Sequence, residues 1–363
     1  YQNTEVRDQT LSRLKSQIEL MYATNGGKKV VVVPHSMGAL YFFHFLKWVE
    51  AGDGGPGWCK AHIKAVLNVE PAFLGDLSFI MRALDSHFVG IKALQRVFDV
   101  VRTWDSIMSL MPKGGDTVWG SVHNPSCIVS WPIPTDTEVQ GKETWTEYNG
   151  NGSEKRSRSV KKETTVIELL QLVAPELIQR ADAHYSYGIA ENLDDPKYSH
   201  HKYWSNPLET RLPEAPEIEI YCLYGVEIPT ERGKANRTRS CKWTDNLVKE
   251  EAICLKEGIK FTDRDESVTV VSAGLMCSKG WKGKTRFNPS GAPTYVREYL
   301  RKLPRILMKG CGRVRVGQVN ILNDAALIED IIRVAAGSSG HEIGGDRIYS
   351  PLLEMTETIN LNL

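Results

Sequence analysis

The sequence has no run of 18 or more apolar residues, so no segment of it reads as a membrane-spanning helix. It has no excess of either charge. Lys and Arg number 45, Asp and Glu 44, and the formal net charge is +1. That balance excludes the whole-chain basic footprint of a nucleic-acid binder and the lopsided charge of a disordered chain. Cysteine is sparse: seven in 363 residues, scattered, odd in number and without a CxxC pair. A zinc ribbon and a dense disulfide framework are thereby excluded, while one bridge in an oxidising compartment is still allowed. No internal repeat is evident. The N-terminus, Tyr1 to Asp8, is polar and begins without Met. It does not read as a signal peptide but as the interior of a longer chain. What is left is an ordinary globular mix, 41% hydrophobic and 25% charged. It is long enough for one large domain or two ordinary ones with a sizeable core.

The clearest local pattern lies in residues 10 to 50. Leu11, Leu14, Ile18 and Met21 recur at helical spacing, and Asn25-Gly26-Gly27 supplies the chemistry that ends a helix. Lys29 to Val33 is short, continuous and β-branched, as a buried parallel strand should be. Pro34-His35-Ser36-Met37-Gly38 follows, and Ala39 to Val49 reads as an apolar helix. Strand, tight turn with Ser and Gly, then helix is the context of a nucleophile elbow, here with Pro34 where the usual first glycine stands. The turn asks for small residues where strand and helix pack closely. Such a turn lifts a serine hydroxyl above the sheet and points the next N–H, that of Met37, at a developing oxyanion. The plainer alternative is a serine that merely caps an ordinary helix.

Several longer stretches are specific. They include Gln2 to Ser12, Arg102-Thr103-Trp104-Asp105-Ser106, Gly114 to Thr117, His184 to Ala190 and Lys202 to Thr210. Gly283 to Gly291 and Ala325 to Asp330 complete the set. Together with the elbow they resemble the lecithin:cholesterol acyltransferase family, in its plant-type phospholipid:diacylglycerol branch, over most of the chain. The resemblance implies an α/β-hydrolase fold with a Ser-Asp-His triad in that chain order and a cap or lid inserted after the elbow. It implies transfer of an acyl group from the sn-2 position of a phospholipid to the serine, then to diacylglycerol, giving triacylglycerol. It implies no cofactor, no metal and no acyl-CoA, with phospholipid and diacylglycerol as substrates and a membrane surface, that of the endoplasmic reticulum, as the working place.

Carried over residue by residue, the nucleophile falls on Ser36 and the acid on Asp265, in Thr262-Asp263-Arg264-Asp265-Glu266-Ser267-Val268-Thr269. There Arg264 replaces a Gly, and Ser267 and Thr269 replace Thr and Pro. Without the resemblance, Asp263, Asp265 and Glu266 would read as a solvated acidic turn. A carboxylate at a strand end is suited to orienting an imidazole. The imidazole itself is missing. Gln318 in Val316-Gly317-Gln318-Val319-Asn320-Ile321 stands where the family has its histidine, and an amide does not take or return a proton near neutral pH. The nine histidines offer no evident substitute. His35 adjoins the serine on a tight turn, where neighbours point apart, and His44 lies two turns along the helix. His184 sits in a family-like stretch and His341 in a loop after the last helix.

Two further departures stand out. Only 29 residues precede Val30, where the family has several strands and helices, so the fold is expected to be N-terminally incomplete, with the elbow strand left as an edge and no membrane anchor. After the strand at His62 to Val69, the family's Gly-Gly-Pro-Phe-Leu-Gly-like turn is replaced by Glu70-Pro71-Ala72-Phe73-Leu74-Gly75. That removes two permissive backbones and one N–H.

The expected division is 1–75 for the elbow part of the core, 76–215 for the cap, and 216–363 for the rest of the core. Residues 76 to 112 read as amphipathic helix, Val166 to Ile178 as helix, Glu217 to Tyr224 as strand, and Ala325 to Ala336 as the final helix. Trp104, Trp119, Trp131 and Trp145 fit either a lipid-facing lid or ordinary core and rim aromatics. Gly150 to Lys162 holds Lys155, Arg156, Arg158, Lys161 and Lys162 against one acid, Glu154. It reads as a solvated loop, with contact to anionic lipid headgroups as the other reading. Asn151-Gly152-Ser153 and Asn236-Arg237-Thr238 fit the glycosylation triplet. Two functional expectations follow: an acyl-CoA-independent serine O-acyltransferase or lipase, or an inactive or truncated relative that at most binds lipid or a partner.

Overall fold

The computed structural model describes residues 4–76, 104–119, 129–132, 145–148, 154–157, 161–164, 179, 181–226, 228–234, 259–265, 268–300 and 318–363. Two compact units divide the chain. The first comprises Tyr1–Val118, Glu176–Thr230 and Thr262–Leu363; the second comprises Trp119–Pro175 and Glu231–Phe261.

The first unit opens with α1 (Thr4–Thr24), longer than the periodic stretch predicts. The helix stops where expected. Gly26 and Gly27 take φ of 66° and 76°, and the Gly27 N–H donates to the Tyr22 carbonyl at 2.9 Å. Then come β1 (Val30–Val32), α2 (Met37–Ala51), α3 (Trp58–His62) and β2 (Ile63–Val69). A 3₁₀ turn (Asp105–Leu110) and the short α4 (Gly115–Trp119) follow. Most of the amphipathic helix expected over 76 to 112 lies outside the described residues, as does that over Val166 to Ile178.

The second unit is built on β3 (Val129–Pro132), β4 (Trp145–Tyr148), β5 (Glu154–Ser157) and β6 (Lys161–Thr164). Strand β4 pairs antiparallel with β5, and β3 with β6. Within the basic stretch predicted as a solvated loop, the described residues Glu154–Ser157, Lys161 and Lys162 are strand. Its residues lack strong β-propensity, and the ladder partners impose the extended backbone. Both glycosylation triplets lie outside the described residues.

Strand β7 (Glu219–Val226) belongs to the first unit; β8 (Ile228–Lys234) leads from the first unit into the second, and β9 (Ile259–Asp265) leads back. The chain continues through β10 (Val268–Thr269), α5 (Val270–Leu275), a π-helical turn (Met276–Gly280) and β11 (Thr294–Leu300). A 3₁₀ turn (Gln318–Asn323), α6 (Ala325–Ala335) and α7 (Leu352–Glu357) end it. So α6 is not the final helix: one more short helix follows it.

Strands β1, β2, β7 and β11 form one parallel sheet in that order, with β1 at one end. Together with the flanking helices it makes an α/β fold. Strand β2 is buried along nearly its whole length, the continuous apolar pattern of a strand covered on both faces. Ala65, Leu67, Val69, Tyr221, Leu223 and Tyr299 pack with Leu327 and Val334 of α6. A buried polar network fixes α6 to β11. Arg297 donates to both carboxylate oxygens of Asp330 at 2.9 and 3.2 Å, and the Tyr299 hydroxyl donates to the same group at 2.7 Å. A disulfide joins Cys222 on β7 to Cys277 in the π-helical turn.

Candidate functional site

The site is organised where the parallel strands end. Two backbone bonds tie β1 to β2: the Val69 N–H donates to the Pro34 carbonyl and the Ser36 N–H to the Val69 carbonyl, each at 2.9 Å. The chain then turns sharply into α2. Ser36 lies at φ 55° and ψ −125°, a left-handed backbone that L-residues avoid. Its side chain makes no cap hydrogen bond to α2. A capping serine has an extended backbone and bonds the first turn; Ser36 does neither. The geometry is that of a strained strand-to-helix elbow. Met37 opens α2, so its N–H is one of the helix's orphan donors. The close packing expected at Gly38 is not seen. Among the described residues, a Cβ there would meet nothing within 4 Å.

The turn after β2 is strained too. Glu70 has φ 47° and is fully buried. Its N–H donates to the Leu223 carbonyl on β7 at 2.7 Å, and its carboxylate lies 3.8 Å from His35 Nε2. The following segment is held from α5. Ser272 Oγ donates to the Gly75 carbonyl at 2.6 Å and accepts from the Leu74 N–H at 3.1 Å. Gly75 leaves no room for a side chain: a Cβ would fall 2.6 Å from the Met111 carbonyl oxygen.

Asp265 is the last residue of β9. Its Cα pairs with Val268 and that of Arg264 with Thr269, an antiparallel hairpin closed over two residues. Thr269 is the N-cap of α5, its hydroxyl accepting from the Ser272 N–H at 2.8 Å. Gln318 opens the 3₁₀ turn before α6. The side chains of Asp265 and Gln318 lie outside the described residues.

The histidines have other neighbours. His44 is buried in α2, its ring 5.4 Å from that of Trp204. His184 and His201 face each other edge-on at 6.4 Å, and His341 is exposed.

The remaining distinctive stretches hold the architecture. Asn206 Nδ2 donates to the carbonyls of Ser186 and Gly188 and to Glu209, joining the His184 and Lys202 stretches. Asn288 Nδ2 donates to the carbonyls of Trp281, Gly283 and Ala292, closing the Gly283–Gly291 loop. Lys113, next to Gly114, is buried with its ammonium on the Ser109 carbonyl at 2.6 Å. Burial pulls its pKa down to about 7, against the opposing pull of Glu209. Burial pushes the Cys59 thiol up, so it is not poised as a nucleophile.

Sequence reasoning passed over Glu70 as a buried, strained carboxylate, along with Ser272 and the Cys222–Cys277 bridge. The one available signal was the loss of the two glycines at 70 and 71.

A family model described as lecithin:cholesterol acyltransferase matches residues 2–302. The chain belongs to the lecithin:cholesterol acyltransferase family. The match stops before Gln318, but curated relatives run further. Phospholipid:diacylglycerol acyltransferase 1 of Arabidopsis thaliana is 44% identical across all of this chain and 68% of its own length. The phospholipid:diacylglycerol acyltransferase of Saccharomyces cerevisiae is 31% identical over 93% of this chain and 53% of its own. That of Schizosaccharomyces pombe is 31% identical over all of this chain and 58% of its own. The specific stretches that carried the expectation of this family therefore pointed correctly.

Proposed function

We propose that this chain is a serine O-acyltransferase of the phospholipid:diacylglycerol type, with Ser36 as nucleophile, Asp265 as the orienting acid and the Met37 N–H as an oxyanion donor. The observation that carries this reading is the elbow: a serine in a left-handed backbone between a parallel strand and a helix, with no capping bond. The relatives' names supply the substrates. Ser36 Oγ attacks the sn-2 ester carbonyl of a phospholipid. The Oγ–C bond forms, the ester C–O bond breaks, and the serine proton leaves on the lysophospholipid. The hydroxyl of diacylglycerol then attacks the acyl-serine and returns a proton to Oγ, giving triacylglycerol. Nothing is oxidised or reduced.

In the family that proton rides on an imidazole. With Gln318 in its place, proton transfer falls to a weaker route, and turnover is slow by the orders of magnitude that separate intact from broken triads. The second reading, a relative that binds lipid without turnover, is favoured by this same glutamine.

A cap over residues 76–215 and a core split between 1–75 and 216–363 belong to the proposal, as does attachment at the endoplasmic reticulum membrane. The Cys222–Cys277 bridge supports an oxidising compartment, and among the described residues no helix is long and apolar enough to cross a membrane.

A fluorophosphonate probe, which reports activated serines, tests this on the whole chain, on Gln318→His and on Ser36→Ala, read by intact mass with circular dichroism melts as the folding check. Slow Ser36-dependent labelling of the wild type, fast in Gln318→His, supports the enzyme. Labelling of Gln318→His alone supports the second reading. No labelling of either folded chain removes Ser36 from the mechanism.

A further inference from the structure

Helix α6 is apolar on two sides. One side carries Leu327 and Val334 into the core, and Asp330 beside them is held by Arg297, Tyr299 and Arg347. The other side is open. Ile332 is 60% exposed and Ile328 42%, and Ala325 and Ala335 are exposed with them. Intervals of three, four and three residues put these four on one stripe of the helix. An ordinary surface helix has a single apolar stripe, facing the core, and a helix that is apolar further round is covered there too. The stripe is also palindromic. It reads Ala, Ile, Ile, Ala from either end, about a centre level with Asp330. Glu329 and Arg333, both exposed and one turn apart, flank it along one edge.

We infer that α6 pairs antiparallel with α6 of a second copy of this chain, forming a two-fold dimer. In such a contact residue i meets j and j meets i. An axis level with Asp330 sets Ala325 against Ala335 of the second copy and Ile328 against Ile332. The alanines let the helix ends approach, and the isoleucines fill the centre. Charge complements the same axis: along the flank, Glu329 of each copy comes within one turn of Arg333 of the other. A bilayer suits the stripe less well. Interfacial helices are rich in Lys and Arg on their polar side, whereas α6 and its cap hold Asp324, Glu329 and Asp330 against Arg333 alone. A helix of 11 residues is only about 16 Å long, so this contact falls short of the roughly 1,000 Å² of a stable interface. The dimer is therefore weak and depends on concentration.

Sedimentation velocity of the whole chain over a dilution series tests this, with circular dichroism melts as the folding check. The wild type is expected to shift reversibly from monomer to dimer and no further, because a two-fold contact closes on itself. Ile332→Lys, at a position exposed enough to leave the melt unchanged, weakens the dimer at least about tenfold. Glu329→Arg and Arg333→Glu each weaken it as well, since each gives the flank a single sign. Mixing the two folded single variants restores the dimer. A wild type that stays monomeric throughout overturns the inference and leaves the isoleucines as ordinary surface residues. So does a monomer that floats with phosphatidylcholine vesicles, which would hand the stripe to a bilayer. A dimer that Ile332→Lys leaves intact, or a mixture that associates no better than the single variants, places the contact elsewhere and overturns it too. Ser36 labelling reads the acyltransferase proposal separately, so either can fail alone.

Discussion

Two turns at the ends of neighbouring parallel strands make an instructive pair. After β1 the chain passes Ser36 at φ 55°; after β2 it passes Glu70 at φ 47°. Both are non-glycine residues in the left-handed region, and such strain persists only where the surroundings over-determine it. At Ser36 the strain sits between a parallel strand and the start of a helix, which suits the reaction proposed for it. At Glu70 the sequence has put a bulky carboxylate where the family's pattern has glycine, and the structure clamps it from several sides. The Leu223 carbonyl on β7 takes its N–H, and Ser272 on α5 grips Leu74 and Gly75 just downstream. The disulfide then staples β7 to the π-helical turn that continues α5. On the proposed function, one turn is strained for chemistry. The other is strained by substitution and held by bracing.

The largest expected effect sharpens the first half of that contrast. If the elbow is competent and only the proton carrier is lacking, Gln318→His raises the rate of Ser36 labelling by a fluorophosphonate at least about 10³-fold. An unchanged rate in a folded variant would mean that the elbow's strain serves no nucleophile. The next effect concerns the bracing. The Cys222–Cys277 bridge closes a separation of 55 residues. Chain-entropy arithmetic for such a loop gives about 4 kcal/mol, so the double variant Cys222→Ala, Cys277→Ala should lose about that much in denaturant unfolding.

How much of this could be read beforehand divides along physical lines. Strands β1 and β2 were legible because both faces are buried, which leaves an uninterrupted β-branched or apolar run. The end of α1 was legible because Asn25-Gly26-Gly27 supplies the two left-handed residues its termination uses. Ser36 was legible as strand, serine and helix in sequence, although a capping serine reads the same until its backbone is seen. Glu70 was not legible, since glutamate carries no preference for positive φ; only the missing glycines hinted at it. Thr269 looked like a departure from a family proline, and the structure gives it a helix cap. Strands β5 and β6 looked like loop because their strand state depends on partners 6 to 35 residues upstream, not on their own composition. The disulfide pairing needed the parallel sheet and α5 in three dimensions before two of seven cysteines could be matched.

A smaller effect tests the clamp at one atom. Ser272→Ala leaves the buried Leu74 N–H and Gly75 carbonyl without the hydroxyl that serves both. Unsatisfied buried groups cost about 1–3 kcal/mol, so unfolding should come earlier by about 2 kcal/mol. The variant should also slow Ser36 labelling less than it lowers stability, because Ser272 braces the second turn and not the elbow.

The smallest effect separates strain from everything else the two side chains do. At each turn two substitutions are compared, glycine and alanine. Both remove the native side chain and its contacts, so the difference between them isolates the backbone. A left-handed backbone costs an alanine about 1–2 kcal/mol, and the extra freedom of glycine in the unfolded chain gives back about 0.4–1 kcal/mol. Glu70→Gly should therefore be more stable than Glu70→Ala by about 1 kcal/mol, and Ser36→Gly more stable than Ser36→Ala by a similar amount. Equal stabilities at position 70 would mean that the second turn relaxes out of the left-handed region once glutamate is gone. The bracing from β7 and α5 would then hold the side chain and not the backbone. Equal stabilities at position 36 would mean that the elbow is shaped by its serine, whereas the two bonds between β1 and β2 predict that the strand ends shape it whatever residue sits there.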